Sequence, residues 1–270
     1  MNMQVTKENQ MSTPVVLTDT RKGTMWIRLN RPDAMNSLTP EVLQGIDQAL
    51  NEAQDRVDVM SVVLTGTGRA FCAGADLKYV KTQTRESGTS GFLDSVLATM
   101  NRIDRFPKPV IAALNGITLA GGLELVLCCD IVLAARSAKI GDAHANYGLL
   151  PGGGGSVRLP RAIGPARAKY LLFTGEFVAA SELVAAGLVN QVVDDAQLES
   201  ATQAVADKIA TKSPLGLRRM KALVDDGLQQ SMDTALRLEL LACEVHGHSA
   251  DLHEGLAAFS EKRPPRFTGH

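Results

Sequence analysis

The chain holds 270 residues, of which 45% are hydrophobic and 21% charged. That is long and apolar enough to bury a core without disulfides or structural metals, and it excludes a disordered chain. Lysine and arginine total 28 against 29 acidic residues, a net charge of -1, and aromatics reach only 4%; this argues against a general polyanion-binding or base-stacking protein.

Met1–Thr13 is polar and mixed in charge, with neither an apolar signal core nor an arginine-rich pattern, so residues 1–13 read as a disordered tail. Val15–Thr18 and Met25–Leu29 read as strands around a turn at Lys22-Gly23. Thr39 is placed to cap a helix with Pro40 at its first position, and Leu43, Ile46, Leu50 and Ala53 mark one face of that helix. Val59–Thr65 is a strand ended by Gly66-Thr67-Gly68. The polar run Lys81–Gly91 reads as a mobile loop, and Phe92–Ile103 as a helix. Pro107 and Pro109 break the chain before a strand at Val110–Leu114. A glycine-rich turn, a helix from about Gly121 and a strand at Ile131–Ala134 repeat the pattern.

Ala138–Gly141 is a further short strand, followed by a loop through Pro151–Gly155, helical segments and a strand at Leu188–Val193. From Ala196 onward only helices are expected. Leu252, Leu256 and Phe259 mark a face of the last one, which stops before Pro264-Pro265. The expected division is a tail over 1–13, an α/β core over 14–195 and a helical region over 196–270.

Val110–Ala135 is apolar enough to resemble a membrane span. It carries Glu124 and Asp130, and a charge at a bilayer centre costs about 2.5–3.5 kcal/mol, so a buried strand–turn–helix–strand is the expected structure and no membrane partner is expected. Cys72, Cys128, Cys129 and Cys243 contain no C-x-x-C pair, which fits reduced thiols in a cytoplasmic protein.

Several motifs fail. Gly66-x-Gly68 lacks the third glycine of a dinucleotide fingerprint, and Gly152–Gly155 lacks the Gly-Lys-Ser/Thr of a phosphate loop. No G-x-S-x-G elbow is present. His246, His248 and His253 have no supporting carboxylate or cysteine spacing, so they read as surface residues and no metal is expected. Two segments survive. Gly66–Lys78 and Asn115–Leu125 each follow a buried strand and place small residues at its C-terminal end, where backbone N–H groups can face a ligand. Two tight turns would account for the glycines, but not for the carboxylate of Glu124 three residues beyond Gly121.

These segments resemble the enoyl-CoA hydratase/isomerase family, the crotonase superfamily. The likeness runs from about Val15 through Leu29-Asn30-Arg31-Pro32, Ala73-Gly74-Ala75-Asp76-Leu77-Lys78 and Lys108–Ala113. It continues through Asn115-Gly116, Cys129-Asp130, Pro151–Gly155, Ala186–Val189, Glu254–Phe259 and Glu261-Lys262-Arg263. The resemblance implies an α/β fold in which strand–strand–helix units spiral into two nearly perpendicular sheets. It also implies a C-terminal helical trimerisation region, giving a homotrimer or homohexamer.

The implied substrate is a small-molecule coenzyme A thioester, with no permanently bound cofactor and no nucleic-acid partner. By position, the amides of Ala75 and Gly121 would stabilise the negative charge that grows on the thioester oxygen, a role worth about 2.7–4 kcal/mol per donor. The resemblance also assigns coenzyme A contacts to Ala34, Ala73, Ala75, Asp76, Leu77, Lys78 and Gly121. Phe259 and Lys262 would join them from the last helix, reaching a neighbouring subunit's ligand. The Lys81–Gly91 segment and the helix after it would line the acyl pocket.

Glu124 matches the family's first glutamate, an acid–base group; its other reading is a carboxylate favoured by a helix N-terminus. The family's second glutamate is replaced here by His144, seven residues before Pro151. Histidine can move protons near neutral pH. Asp142 and Asn146 share its side if the segment is extended, which makes Asp142 a fallback acid–base group. The expected activity is an acyl-CoA lyase that hydrates an enoyl-CoA or dehydrates a 3-hydroxyacyl-CoA. Another superfamily reaction using His144 (hydrolysis, isomerisation, decarboxylation or dehalogenation) and a non-catalytic acyl-CoA binder are the alternatives.

Overall fold

The computed structural model describes residues 13–86 and 90–270, so the expected tail lies outside the described residues except for Thr13. The first strands, β1 (Val16–Arg21) and β2 (Thr24–Leu29), form an antiparallel hairpin whose turn residues Lys22 and Gly23 both have positive φ. In α1 (Pro40–Asp55) the Thr39 hydroxyl accepts from the Val42 amide, and Leu43, Ile46, Leu50 and Ala53 are buried, as their spacing predicts.

There follow β3 (Ser61–Gly66), β4 (Ala70–Cys72), α2 (Leu77–Glu86), α3 (Ser90–Asp104), β5 (Val110–Leu114), β6 (Ile117–Leu119) and α4 (Gly121–Val126). Then come β7 (Ile131–Ala135), β8 (Lys139–Gly141), α5 (Gly155–Ile163), α6 (Pro165–Thr174), β9 (Val178–Ala179) and β10 (Gln191–Val193). The chain ends in α7 (Leu198–Ala210), α8 (Pro214–Gly227), α9 (Met232–His246) and α10 (Ala250–Glu261).

The larger sheet has the order β1-β2-β3-β5-β7-β10 and is parallel from β2 onward. Every residue of β3 and β5 is buried; α7 packs against both strands, and β4 of the smaller sheet contacts them as well. The smaller sheet has the order β4-β6-β8-β9, parallel from β4 to β8. Successive units leave one strand in each sheet: β3 then β4, β5 then β6, β7 then β8. This is the spiral that the resemblance implies. The core fills with Trp26, Phe71, Phe106, Met100 and the aliphatic side chains of the large sheet. The indole of Trp26 donates to Gln203 on α7 at 2.9 Å, fixing that helix against the sheet.

The fold corrects the sequence reading in three places. Lys81–Gly91 is not a loop at its ends: α2 runs to Glu86 and α3 starts at Ser90, while residues 87–89 lie outside the described residues. A polar run carries no apolar periodicity even when it is helical. The strand expected at Leu188–Val193 pairs only over Gln191–Val193; Leu188 and Val189 instead donate backbone bonds to Leu183. The short strands β4 and β6 lie inside what the sequence shows only as glycine-rich turns.

Candidate active site

Strands β4, β6 and β8 are neighbours in the small sheet and run in the same direction, so the chain leaves all three at one edge. The segments leaving that edge are Ala73–Asp76, Ala120–Gly122 and Asp142–His144. The edge of a sheet at the carboxyl ends of parallel strands is where ligands of open α/β folds sit.

The first segment is braced by Leu38, whose amide donates to the Gly74 carbonyl (2.8 Å) and whose carbonyl accepts from the Asp76 amide (2.9 Å). In a parallel bridge of this kind both bonds belong to Leu38, so the N–H of Ala75 points away from it. In the second segment Ala120 has φ +48° and ψ −118°, held by its amide bond to the Gly141 carbonyl at 3.1 Å. An alanine in this region stores on the order of 1–3 kcal/mol, and such strain collects at functional sites. Gly121 then opens α4 as one of the first-turn amides with no acceptor inside the helix.

The two turns touch. A Cβ on Gly74 would lie 2.8 Å from the Ala120 Cβ and 3.1 Å from the Gly121 nitrogen, and one on Gly121 would lie 3.6 Å from the Ala75 nitrogen. The amides of Ala75 and Gly121 are therefore neighbours, and neither has an acceptor among the described residues.

Glu124 sits on α4, 2% exposed. Its Oε1 accepts from the amides of Gly153 and Gly155, both at 2.8 Å, which leaves Oε2 without a donor among the described residues. Burial pushes its carboxyl above the ordinary range, more strongly than the two amides and the nearby His144 pull it down; Asp142 pushes in the same direction as burial. The glycines here are a close-approach requirement, since a Cβ on Gly153 would lie 2.9 Å from Oε2 and 2.2 Å from the Met100 sulfur. Arg158 holds the carbonyl side of that same residue, donating to Gly153 O at 2.9 Å while gripping Asn101 and Asp104 of α3.

His144 follows Ala143, which has φ +62°, and opens a short 3-10 turn over His144–Tyr147. The segment is thus not extended, and Asn146 does not share the histidine's side; its amide donates to the Gly175 carbonyl instead. Asp142 is 1% exposed and holds His144 twice: Oδ1 accepts from the backbone amide at 3.2 Å, and Oδ2 meets ring Nδ1 at 3.0 Å. Burial lowers the imidazole pKa, but the Asp142 bond and the charges of Asp142 and Glu124 outweigh it and leave the group above its ordinary value. Cys72, at the end of β4, is no nucleophile, because burial pushes its thiol up to about 12.

The residues expected to meet coenzyme A are spread more widely. Ala34 ends a 3-10 turn, and the amide of Ala73 donates to neighbouring Met35 at 3.0 Å, which brings these segments together. Asp76 is engaged by the protein itself. Its Oδ2 accepts from Arg31 at 2.9 Å, and its Oδ1 accepts from the amides of Lys78 and Tyr79 at the start of α2. Leu77 and Lys78 are exposed beside that turn. Phe259 (85% exposed) and Lys262 stand at the end of α10, and no hydrogen bond or ion pair joins them to the Ala75 and Gly121 turns among the described residues. The sequence reading did not find the hold of Gly153 and Gly155 on Glu124. Its signal was the glycine run 152–155 itself, two of whose amides receive a carboxylate of the protein.

The family described as enoyl-CoA hydratase/isomerase matches residues 19–270. Among curated relatives, the crotonyl-CoA hydratase of Syntrophomonas wolfei is 38% identical over 244 residues, covering 88% of this chain and 92% of that protein. The 1,2-epoxyphenylacetyl-CoA isomerase of Escherichia coli is 37% identical over 259 residues, covering 94% of this chain and 98% of that protein. The crystal structure of enoyl-CoA hydratase from Bacillus anthracis superposes with a TM-score of 0.89 at 38% identity, covering 95% of this chain and all of that one.

Proposed function

The chain belongs to the enoyl-CoA hydratase/isomerase family, and from that footing we propose how its residues add water across the α,β double bond of an enoyl-CoA, or remove it from a 3-hydroxyacyl-CoA. The observation that carries the reading is the buried Glu124 carboxylate, tied by Oε1 and open at Oε2, near His144 and the Ala75 and Gly121 turns. The thioester oxygen binds between the amides of Ala75 and Gly121, which face the charge that develops on it. Water transfers a proton to Glu124 Oε2 as its oxygen bonds the β-carbon. The π electrons move onto the thioester oxygen as an enolate. They return to the α-carbon as protonated His144 delivers the proton on Nε2. Solvent exchange resets the pair. The step is redox-neutral and calls for no bound cofactor.

Ala34, Ala73, Asp76, Leu77 and Lys78 form the coenzyme A approach in this reading, Asp76 by organising the turn through Arg31 and the others by direct contact. The acyl chain lies along α3, whose Leu93 side chain would meet a Cβ on Gly152 at 2.5 Å and whose Met100 abuts Gly153. Helices α8 to α10 leave Met220, Val224, Leu228, Met232, Leu236, Leu240 and Phe259 exposed. This supports the helical region over 196–270 as the contact between chains in a homotrimer or homohexamer, with Phe259 and Lys262 reaching the ligand of a neighbour. Among the described residues no helix is long and apolar enough to cross a membrane. All four cysteines are unpaired, which supports a cytoplasmic setting.

A screen of acyl-CoA thioesters with product mass analysis tests the reading. Loss of the conjugated-thioester absorbance with a gain of one water mass is the expected result. Release of free thiol would replace hydration by hydrolysis, and binding without turnover would make the protein an acyl-CoA carrier.

A further inference from the structure

We propose that Asp142 is a positioning residue of the reaction: its buried carboxylate clamps His144 at two points and turns the ring so that Nε2 faces the substrate. The proposal rests on the hydratase reading for the role of His144, but the clamp itself is geometric. Asp142 leaves the end of β8, the strand beside β6, so its backbone is fixed by the small sheet. The next residue, Ala143, takes the left-handed conformation at φ +62°, which folds the chain back and brings the amide and ring of His144 onto the same carboxylate. With Nδ1 bound to Oδ2, only Nε2 is left to meet a ligand.

The distribution of charge has a further consequence. The charged groups acting on the ring are Asp142 from its own segment and Glu124 from α4; α6, which packs on the same turn, adds none. Both are carboxylates, and Asp142 is the one in direct contact. Asp142 therefore favours the imidazolium form of the ring, the form that can deliver a proton in the proposed hydration with Glu124 as the base. The sequence alone made Asp142 a substitute acid–base group. Its burial and its double engagement give it the task of holding the group that moves the proton.

Two measurements test this on the full chain. In the first, the ring nitrogens and carbons of His144 are followed by NMR through a pH titration without substrate, the signals being assigned with His144→Gln. The expected result is a ring that titrates above the ordinary histidine value of about 6.5, loses its proton from Nε2 and keeps the Nδ1 proton. Titration at or below that value, or a mixture of tautomers, would overturn the clamp. This measurement needs neither turnover nor a variant of Asp142. Absence of activity toward every enoyl-CoA would overturn the hydratase reading and leave the clamp decided by the spectra.

The second measurement compares pH profiles. Asp142→Asn should lower kcat about 100-fold, as a misplaced catalytic group does, with little change in KM. It should also move the alkaline limb of kcat to lower pH, because the imidazolium loses its carboxylate. In a His144→Gln background the same substitution should cost no further activity. An unmoved alkaline limb, or independent losses in the double variant, would show that Asp142 acts by another route. If Asp142→Asn does not fold, the wild-type titration decides alone.

Discussion

At the scale of single residues the two proposed proton carriers differ in their surroundings. Glu124 is raised by burial and His144 by the carboxylates near it, and the proposed reaction uses ionised Glu124 with protonated His144. The kcat profile should be bell-shaped. Its acid limb should lie above the usual carboxylate range and its alkaline limb above the usual histidine value of about 6.5. Glu124→Gln should lower kcat by about 10²–10⁴-fold, because the amide keeps the bonds from Gly153 and Gly155 but cannot take the proton of water.

Stability should respond differently from activity. A carboxyl raised by folding makes the ionised form costly, so wild type loses stability as pH rises through the Glu124 titration. Glu124→Gln, which has no charge to bury, should then melt at or above the wild-type temperature at neutral pH, and a large drop in Tm would make the residue structural. His144 is also raised. Its contribution is complete below the unfolded value and is lost as pH climbs through the folded one. Thermal melts across that window should therefore flatten in His144→Gln.

The element scale explains what the sequence shows and what it hides. The helix of Thr39 and Pro40 and the buried strand at Val110–Leu114 are legible because each has its own signal, a cap with a 3.6-residue stripe or an apolar run behind two prolines. Ala70–Cys72 and Ile117–Leu119 are not, since three residues are too few for any period to show, and only pairing across the small sheet makes them strands. The two turns and Glu124 could be picked out as residue types at the ends of buried strands. The hold of Gly153 on Glu124 could not, because the two lie 29 positions apart and only the fold brings them together.

That cradle is testable. Gly153→Ala would press a methyl group against the Met100 sulfur and Glu124 Oε2, so unfolding measurements should show a loss of about 1–3 kcal/mol together with weakened turnover. Arg158→Ala frees the Gly153 carbonyl and leaves Asn101 and Asp104 without their guanidinium, and should lower kcat without touching any residue that meets substrate. Unchanged kcat in both variants would mean that Glu124 is held by something other than these glycines.

For the whole molecule, the two sheets share one spiral and deliver three chain segments to one edge, while α8 to α10 present an apolar surface that a single chain leaves uncovered. Light scattering should find three or six chains per particle, and Leu228→Asp with Leu240→Asp should reduce that number and weaken coenzyme A binding. A monomeric wild type would return Phe259 and Lys262 to an ordinary helix end. The central claim, that this site adds water to an enoyl-CoA through Glu124 and His144, is tested most directly by turnover of crotonyl-CoA in oxygen-18-labelled water. The account requires the label in a β-hydroxyl group of an intact thioester, with the signal lost in Glu124→Gln. Label in a free carboxylate, or undiminished hydration by Glu124→Gln, would contradict it.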